Sequence, residues 1–78
     1  MYTIYEKPNC GYCVRAKKLL QDNGLEYETI SAVEQRETLI KRVKSSTGVP
    51  PKTVPQIYLG DKYIGGYTEL CTHLRNTT

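Results

Sequence analysis

Apolar and polar positions along the chain switch between two periods, one of strands and one of helices. Tyr2 to Tyr5 is a β-branched and aromatic run in which Thr3-Ile4-Tyr5 reads as a strand, and the Pro8-Asn9 pair ends it. From Val14 to Asn23 the period becomes helical. Ala16, Leu19 and Leu20 share a face with Cys13 one turn before Ala16, and Arg15, Lys17, Lys18 and Asp22 fall on the rest of the surface. Asn23-Gly24 is a stop signal, since Gly24 can take the left-handed conformation that ends a helix. Leu25 to Ile30 alternates again and predicts a second strand. Strand, helix and strand in such close succession make a βαβ unit, which implies parallel pairing.

Ser31-Ala32-Val33-Glu34 has the spacing of a capping box, so a second helix is expected from Ser31. Its buried face would be Leu39, Ile40 and Val43, with Arg36, Glu37, Lys41, Arg42 and Lys44 turned to water. Ser45 to Lys52 is a loop rich in Gly and Pro. Thr53-Val54-Pro55 leads into a third strand, Gln56 to Leu59; Gly60-Asp61 makes a hairpin turn, and Lys62-Tyr63-Ile64 returns antiparallel. Gly65-Gly66 breaks that strand. Thr68 is placed to cap a last short helix with Leu70 and Leu74 on one face, and Asn76-Thr77-Thr78 is expected to fray. The order β-α-β-α-β-β-α predicts an α/β fold, a four-stranded mixed sheet flanked by three helices, as a single domain over residues 1–78.

Composition narrows the function classes. The 78 residues give room for one modest core, and with neither Trp nor Phe the seven Tyr supply all the aromatic surface. The net charge of +3 comes from scattered Lys and Arg interleaved with acids, the look of a solvated face and weak support for nucleic-acid binding. No apolar run approaches membrane-spanning length, and no signal peptide is expected ahead of the first strand. With an odd cysteine count as well, the chain is expected to work as a monomer in a reducing cytoplasm, where a Cys-x-x-Cys is more often catalytic than a staple.

The chemistry concentrates in Lys7-Pro8-Asn9-Cys10-Gly11-Tyr12-Cys13. A Cys-x-x-Cys between a strand and a helix puts the first sulfur at a helix N-terminus, where unpaired backbone N–H groups and the macrodipole favour negative charge. A thiol there ionises more readily, and the thiolate is the reactive nucleophile. Lys7 can add a cation to the same spot. Cys13, one turn in, is placed to attack a disulfide formed on Cys10. The competing reading is a zinc site built from Cys10, Cys13, Cys71 and His73. Such pairs usually sit on tight turns instead of at the head of a long helix, and the remainder of the chain reads as able to fold without metal. Cys71, near Leu70 and Leu74, reads as a small half-buried packing residue.

Three blocks, Cys10-Gly11-Tyr12-Cys13, Thr53-Val54-Pro55-Gln56-Ile57 and Ile64-Gly65-Gly66-Tyr67-Thr68, together resemble the glutaredoxins, small dithiol members of the thioredoxin-fold family. The resemblance runs from the first strand to the last helix. It implies a glutathione-disulfide oxidoreductase in which Cys10 takes up glutathione from mixed disulfides and Cys13 resolves protein disulfides. Glutathione is then the co-substrate, and disulfide-bearing proteins, ribonucleotide reductase among them, are the clients. It further implies a cis Val54-Pro55 bond facing Cys10, with the Val54 backbone pairing the cysteine peptide of glutathione as an added strand. Tyr12 would wall the groove beside Thr53. Gly66, Tyr67, Thr68 and Glu69 would hold the γ-glutamyl end, and Lys7 and Lys52 the glycine carboxylate, with Gln35 and Arg36 as weaker candidates. Two-cysteine glutaredoxins often carry Pro between the thiols where this chain has Gly11. In the family, glycine there is associated with members that share an iron–sulfur cluster between two subunits. A cluster carrier is therefore one alternative, and a redoxin recharged by thioredoxin reductase is another.

Overall fold

In the computed structural model, residues 1–77 are described, and the expected element order is observed: β1 (Tyr2–Glu6), α1 (Gly11–Asp22), β2 (Tyr27–Ser31), α2 (Arg36–Thr47), β3 (Gln56–Leu59), β4 (Lys62–Gly65) and α3 (Tyr67–Thr77). The four strands form one mixed sheet in the order β2-β1-β3-β4, with β1 parallel to β2 and antiparallel to β3, and β3 antiparallel to β4.

Strand alternation sorts the core onto two faces. Tyr2, Ile4 and Ile57 meet Ala16 and Leu20 of α1 and Leu70 and Leu74 of α3 on one side. Tyr5 and Tyr58 meet Leu39 and Val43 of α2 on the other. The sheet thus lies between α1 and α3 on one face and α2 on the opposite face. The chain leaves the central strand β1 for α1 at one end of the sheet, which is where Cys10 sits.

Several boundaries differ from the expectation, each for a local reason. Helix α1 begins at Gly11 instead of Val14, because Cys10 is itself the N-cap and its sulfur accepts the Cys13 N–H. At its other end Gly24 has φ 66°, with Gly24 N–H bonded to Gln21 O and Leu25 N–H to Leu20 O. That paired pattern satisfies the last carbonyls and keeps Leu25 out of β2. The Ser31 capping bond is present, with Ser31 Oγ accepting the Glu34 N–H at 3.1 Å, but it closes a turn. Ser31 stays in the sheet opposite Glu6, and α2 starts five residues later than expected, at Arg36. Helix α3 starts at Tyr67, with Gly66 O accepting the Leu70 N–H, so Thr68 lies inside the first turn and is not the cap. That helix continues through Asn76 to Thr77, where fraying was expected; Thr78 lies outside the described residues.

Two cations expected in water are held. The Arg42 guanidinium carbon lies 3.7 Å from the centre of the Tyr58 ring, and its nitrogens donate to Tyr5 Oη at 3.0 Å and Gly60 O at 2.8 Å. Lys17 Nζ is 2.8 Å from Glu6 Oε1, and that bond holds the lysine above its ordinary pKa. Ile40, expected in the core, is half-buried.

Candidate active site

Cys10 has extended backbone angles, φ −106° and ψ 107°, which a helix N-cap requires. In that role its Sγ accepts the Cys13 N–H at 3.2 Å, much as a capping serine oxygen would. The same Sγ lies 3.8 Å from Val54 O, so the loop before β3 passes directly beside the sulfur. Cys10 is half-exposed and Cys13 is 1% exposed, so only the first thiol is open to a bulky reactant. Burial pushes the Cys13 thiol up to about 11, helped by its hydrogen bond with Cys10, while the Lys7 backbone pulls the other way. At neutral pH Cys13 is therefore a thiol. Nothing lies within 4 Å of where a Cβ on Gly11 would stand, which leaves that flank of Cys10 open.

The Val54-Pro55 peptide is cis. Val54 O has the Cys10 thiol as its neighbour, and among the described residues no partner engages the Val54 N–H. From this point a groove of about 360 Å³ runs toward α3, lined by Tyr12, Thr53, Val54, Pro55, Gly66, Tyr67, Thr68 and Glu69. These are the residues singled out from the sequence for that end of the site. The Tyr12 ring, 56% exposed, sits 5.8 Å from that of Tyr67, and the Arg15 guanidinium carbon lies 5.2 Å from the centre of the Tyr12 ring. The Tyr67 hydroxyl is raised above its ordinary pKa by its neighbour Cys71, one turn along α3.

Glu69 is less free than expected. Its Oε1 accepts the Gly66 N–H at 2.8 Å, the reciprocal half of a capping box. A Cβ on Gly65 would come within 2.8 Å of the Glu69 side chain, so glycine, at φ 122°, is required there. The N–H groups of Tyr67 and Thr68 are left at the start of α3 for an anion.

A second groove, of about 500 Å³, opens from Val54 in the other direction, toward α2. Lys7, Arg36 and Lys52 stand around it. Gln35 does not join them and borders a separate depression with Glu34 and Glu37. A third hollow, of about 630 Å³, is lined by Cys10 and Cys13 themselves, lies between β1 and α1 and includes the Glu6–Lys17 pair. The apolar walls of the second groove, including Ile40, Pro50 and Pro51, were missed from the sequence. The available signal was the Val49-Pro50-Pro51-Lys52 run immediately before Thr53, which reads as an ordinary loop.

The four zinc candidates do not converge. His73 Nε2 is 3.0 Å from Tyr2 Oη, and Cys71 faces Tyr67. Among the described residues no group of three or more His, Cys, Asp or Glu is arranged to hold a metal ion. An exposed sulfur on a helix start, a buried second sulfur and an adjacent open backbone edge suit thiol–disulfide exchange.

Comparison with known proteins agrees. The family model described as Glutaredoxin matches residues 2–64. The chain is 40% identical over 68 residues to a hybrid peroxiredoxin of Haemophilus influenzae, covering 87% of this chain and only 27% of that longer protein. Against Glutaredoxin 1 of Salmonella typhimurium identity is 38% over 78 residues, with 88% of this chain and 85% of the relative covered. The crystal structure of a buckwheat glutaredoxin–glutathione complex matches with a TM-score of 0.78 at 31% identity, over 97% of this chain and 69% of that one. A family match spanning most of the sequence, and a relative aligned almost end to end, place this chain in the glutaredoxin family of thioredoxin-fold thiol–disulfide oxidoreductases.

Proposed function

We propose that the protein is a glutathione-dependent oxidoreductase that removes glutathione from mixed disulfides through Cys10 and reduces protein disulfides through Cys10 and Cys13. The observation that carries the reading is the position of Cys10 Sγ, on the N-terminus of α1 and 3.8 Å from the carbonyl oxygen of Val54, a residue that lines the Tyr12–Tyr67 groove. A protein–S–S–glutathione disulfide is attacked by the Cys10 thiolate; the protein thiolate leaves and Cys10–S–S–glutathione forms. A second glutathione thiolate attacks the glutathione sulfur, oxidised glutathione departs, and the Cys10 thiolate is restored. With a protein disulfide, the Cys10 thiolate attacks one client sulfur and the other leaves as a thiolate. Cys13 then attacks Cys10 Sγ, the second client thiolate leaves, and the Cys10–Cys13 disulfide closes, so that the client gains the two electrons the pair gives up.

Glutathione bound by the first route runs its γ-glutamyl carboxylate to the Thr68 hydroxyl and the Tyr67 and Thr68 N–H groups, and its cysteine along Val54. Its glycine then enters the groove of Lys7 and Lys52. The buckwheat relative, solved with glutathione, supports this ligand. Ribonucleotide reductase is the client class suggested by the family resemblance, and peroxiredoxin disulfides the one suggested by the similarity to a hybrid peroxiredoxin. Turnover of a glutathione mixed disulfide, coupled to glutathione reductase, is the test. Activity with thioredoxin reductase and none with glutathione would replace the reading.

The open flank at Gly11 favours one second reading, a cluster carrier. Cys10 fits as the half-exposed sulfur of the pair that each of two copies would offer an iron–sulfur cluster with glutathione as co-ligand, whereas Cys13 is too buried to reach one. Anaerobic purification with glutathione, read by visible absorption and iron analysis, tests this.

A further inference from the structure

The groove between Val54 and α2 is far larger than a glycyl residue needs, at about 500 Å³. Its walls are apolar, with Ile40 half-buried, Pro50 and Pro51 beside it, and Val33 67% exposed on the rim. Around them stand Lys7, Arg36 and Lys52, all exposed. None of the three has a carboxylate partner among the described residues, whose ion pairs join Lys17 to Glu6 and Lys18 to Asp22. No acidic residue lines this groove. Three cations without an ion-pair partner stand over an apolar trough, and although Arg36 also borders the depression of Glu34 and Glu37, the trough itself complements a segment carrying both an apolar and an acidic side chain.

We propose that this groove selects protein clients whose reactive cysteine is followed, toward the C-terminus, by an apolar and then an acidic residue. The inference rests on the glutathione orientation proposed above. That orientation sets the chain direction across Val54, since the residue after the glutathione cysteine enters the α2 groove. A client strand paired to the Val54 backbone in the same sense lays its following residues between Ile40, Pro50 and the three cations. Backbone pairing supplies affinity in such added-strand recognition, and the flanking pockets supply specificity.

The test uses the Cys13→Ser protein, in which Cys10 carries glutathione as a stable mixed disulfide. A peptide thiol exchanges with it: Cys10–S–S–glutathione and peptide–SH give Cys10–S–S–peptide and glutathione, with no net oxidation. Equilibrium constants are read by mass spectrometry for acetylated Gly-Gly-Cys-Leu-Glu amide, its Gln and Lys counterparts, and the reversed Glu-Leu-Cys-Gly-Gly. At about 0.01 M ionic strength the Glu peptide is expected to exceed the Lys peptide by about tenfold, several exposed charge pairs each contributing modestly. The ratio should shrink near 0.15 M, and Arg36→Glu should lower or invert it. That substitution places an acid in the first turn of α2, where it suits the helix dipole.

Equal constants for the Glu, Gln and Lys peptides overturn the proposal. So does the same acid preference in the reversed peptide, since the effect would then be general attraction to a basic protein. If the Cys13→Ser protein forms no mixed disulfide with glutathione at all, the glutathione reading fails first and the groove assignment falls with it.

Discussion

The backbone N–H of Cys13 donates to the sulfur of Cys10 across 3.2 Å, which holds the first sulfur at the start of α1 with the second residue of the pair one turn behind it. The acceptor is half-exposed and the donor residue is 1% exposed. Cys10→Ser is expected to abolish all activity. Cys13→Ser should keep a sizeable part of deglutathionylation and lose protein-disulfide reduction. Steady-state assays on a glutathionylated peptide and on a protein disulfide separate the two, and equal loss of deglutathionylation in both variants would overturn the assignment.

Burial of Cys13 also has a signature in pH. Its thiol is raised from 9.0 to about 11 in the folded, reduced protein. A raised value means that the fold holds the proton more tightly than the unfolded chain does. The contribution is therefore complete below pH 9 and is lost as pH rises through 11. Melting temperature under reducing conditions should fall across that window, and Cys13→Ala, which removes the titrating group, should fall less. Tyr2 and Tyr63 are raised by burial too but are common to both proteins, so the difference isolates Cys13. Identical pH profiles would contradict the burial argument.

Thr68 lies in the first turn of α3 with its side chain exposed, and the helix start is capped by Gly66 and Glu69. Thr68→Val should therefore leave the melting temperature nearly unchanged while removing the hydroxyl from the glutathione groove. A hydrogen bond to a charged carboxylate is worth about 1.5–3 kcal/mol, or about tenfold or more in affinity. The loss should appear with glutathione mixed disulfides and be small with a cysteamine mixed disulfide, which lacks the γ-glutamyl group. Equal slowing on both substrates would move the γ-glutamyl site elsewhere.

Arg42 fastens α2 to the sheet, stacked on Tyr58 and bonded to Tyr5 and Gly60. Arg42→Met keeps an unbranched apolar stem and removes the cation and both donors. Desolvated cation–π contact and lost hydrogen bonds together suggest a destabilisation of about 1–3 kcal/mol. Urea unfolding measures it, and turnover per folded molecule should be unchanged because the residue is remote from Cys10. A change within about 0.5 kcal/mol, typical of an ordinary surface substitution, would show that the contacts carry no net stability.

Much of this was legible because strand alternation and helix periodicity are local properties. Leu20 and Leu70 are fully buried on the predicted helix faces, Ile4 and Ile57 are fully buried within the predicted strands, and Cys10 and Cys13 sit at the predicted strand–helix junction. What failed depended on tertiary partners. Arg42 looks like any solvated lysine neighbour until Tyr58 arrives from β3. The Ser31 hydroxyl makes its capping bond, yet ladder pairing to Glu6 keeps that residue in the sheet. Glu69 instead of Thr68 completes the start of α3, because the chain bends at Gly66 and no period records that bend. The α2 groove escaped notice since it is assembled from Lys7, α2 and the proline loop, three segments far apart in sequence.

The sulfur of Cys10 is both a redox atom and the cap of α1, and this joins two quantities usually measured apart. Closing a disulfide to Cys13 changes the atom on which the helix begins. Whatever steadiness the first turn draws from the reduced sulfur, the reduced protein holds over the oxidised one, and a favoured reduced state makes the couple a poorer electron donor. Substitutions confined to that turn therefore shift reduction potential in step with helix firmness. The strength of the protein as a reductant is set against the security of a single helical turn.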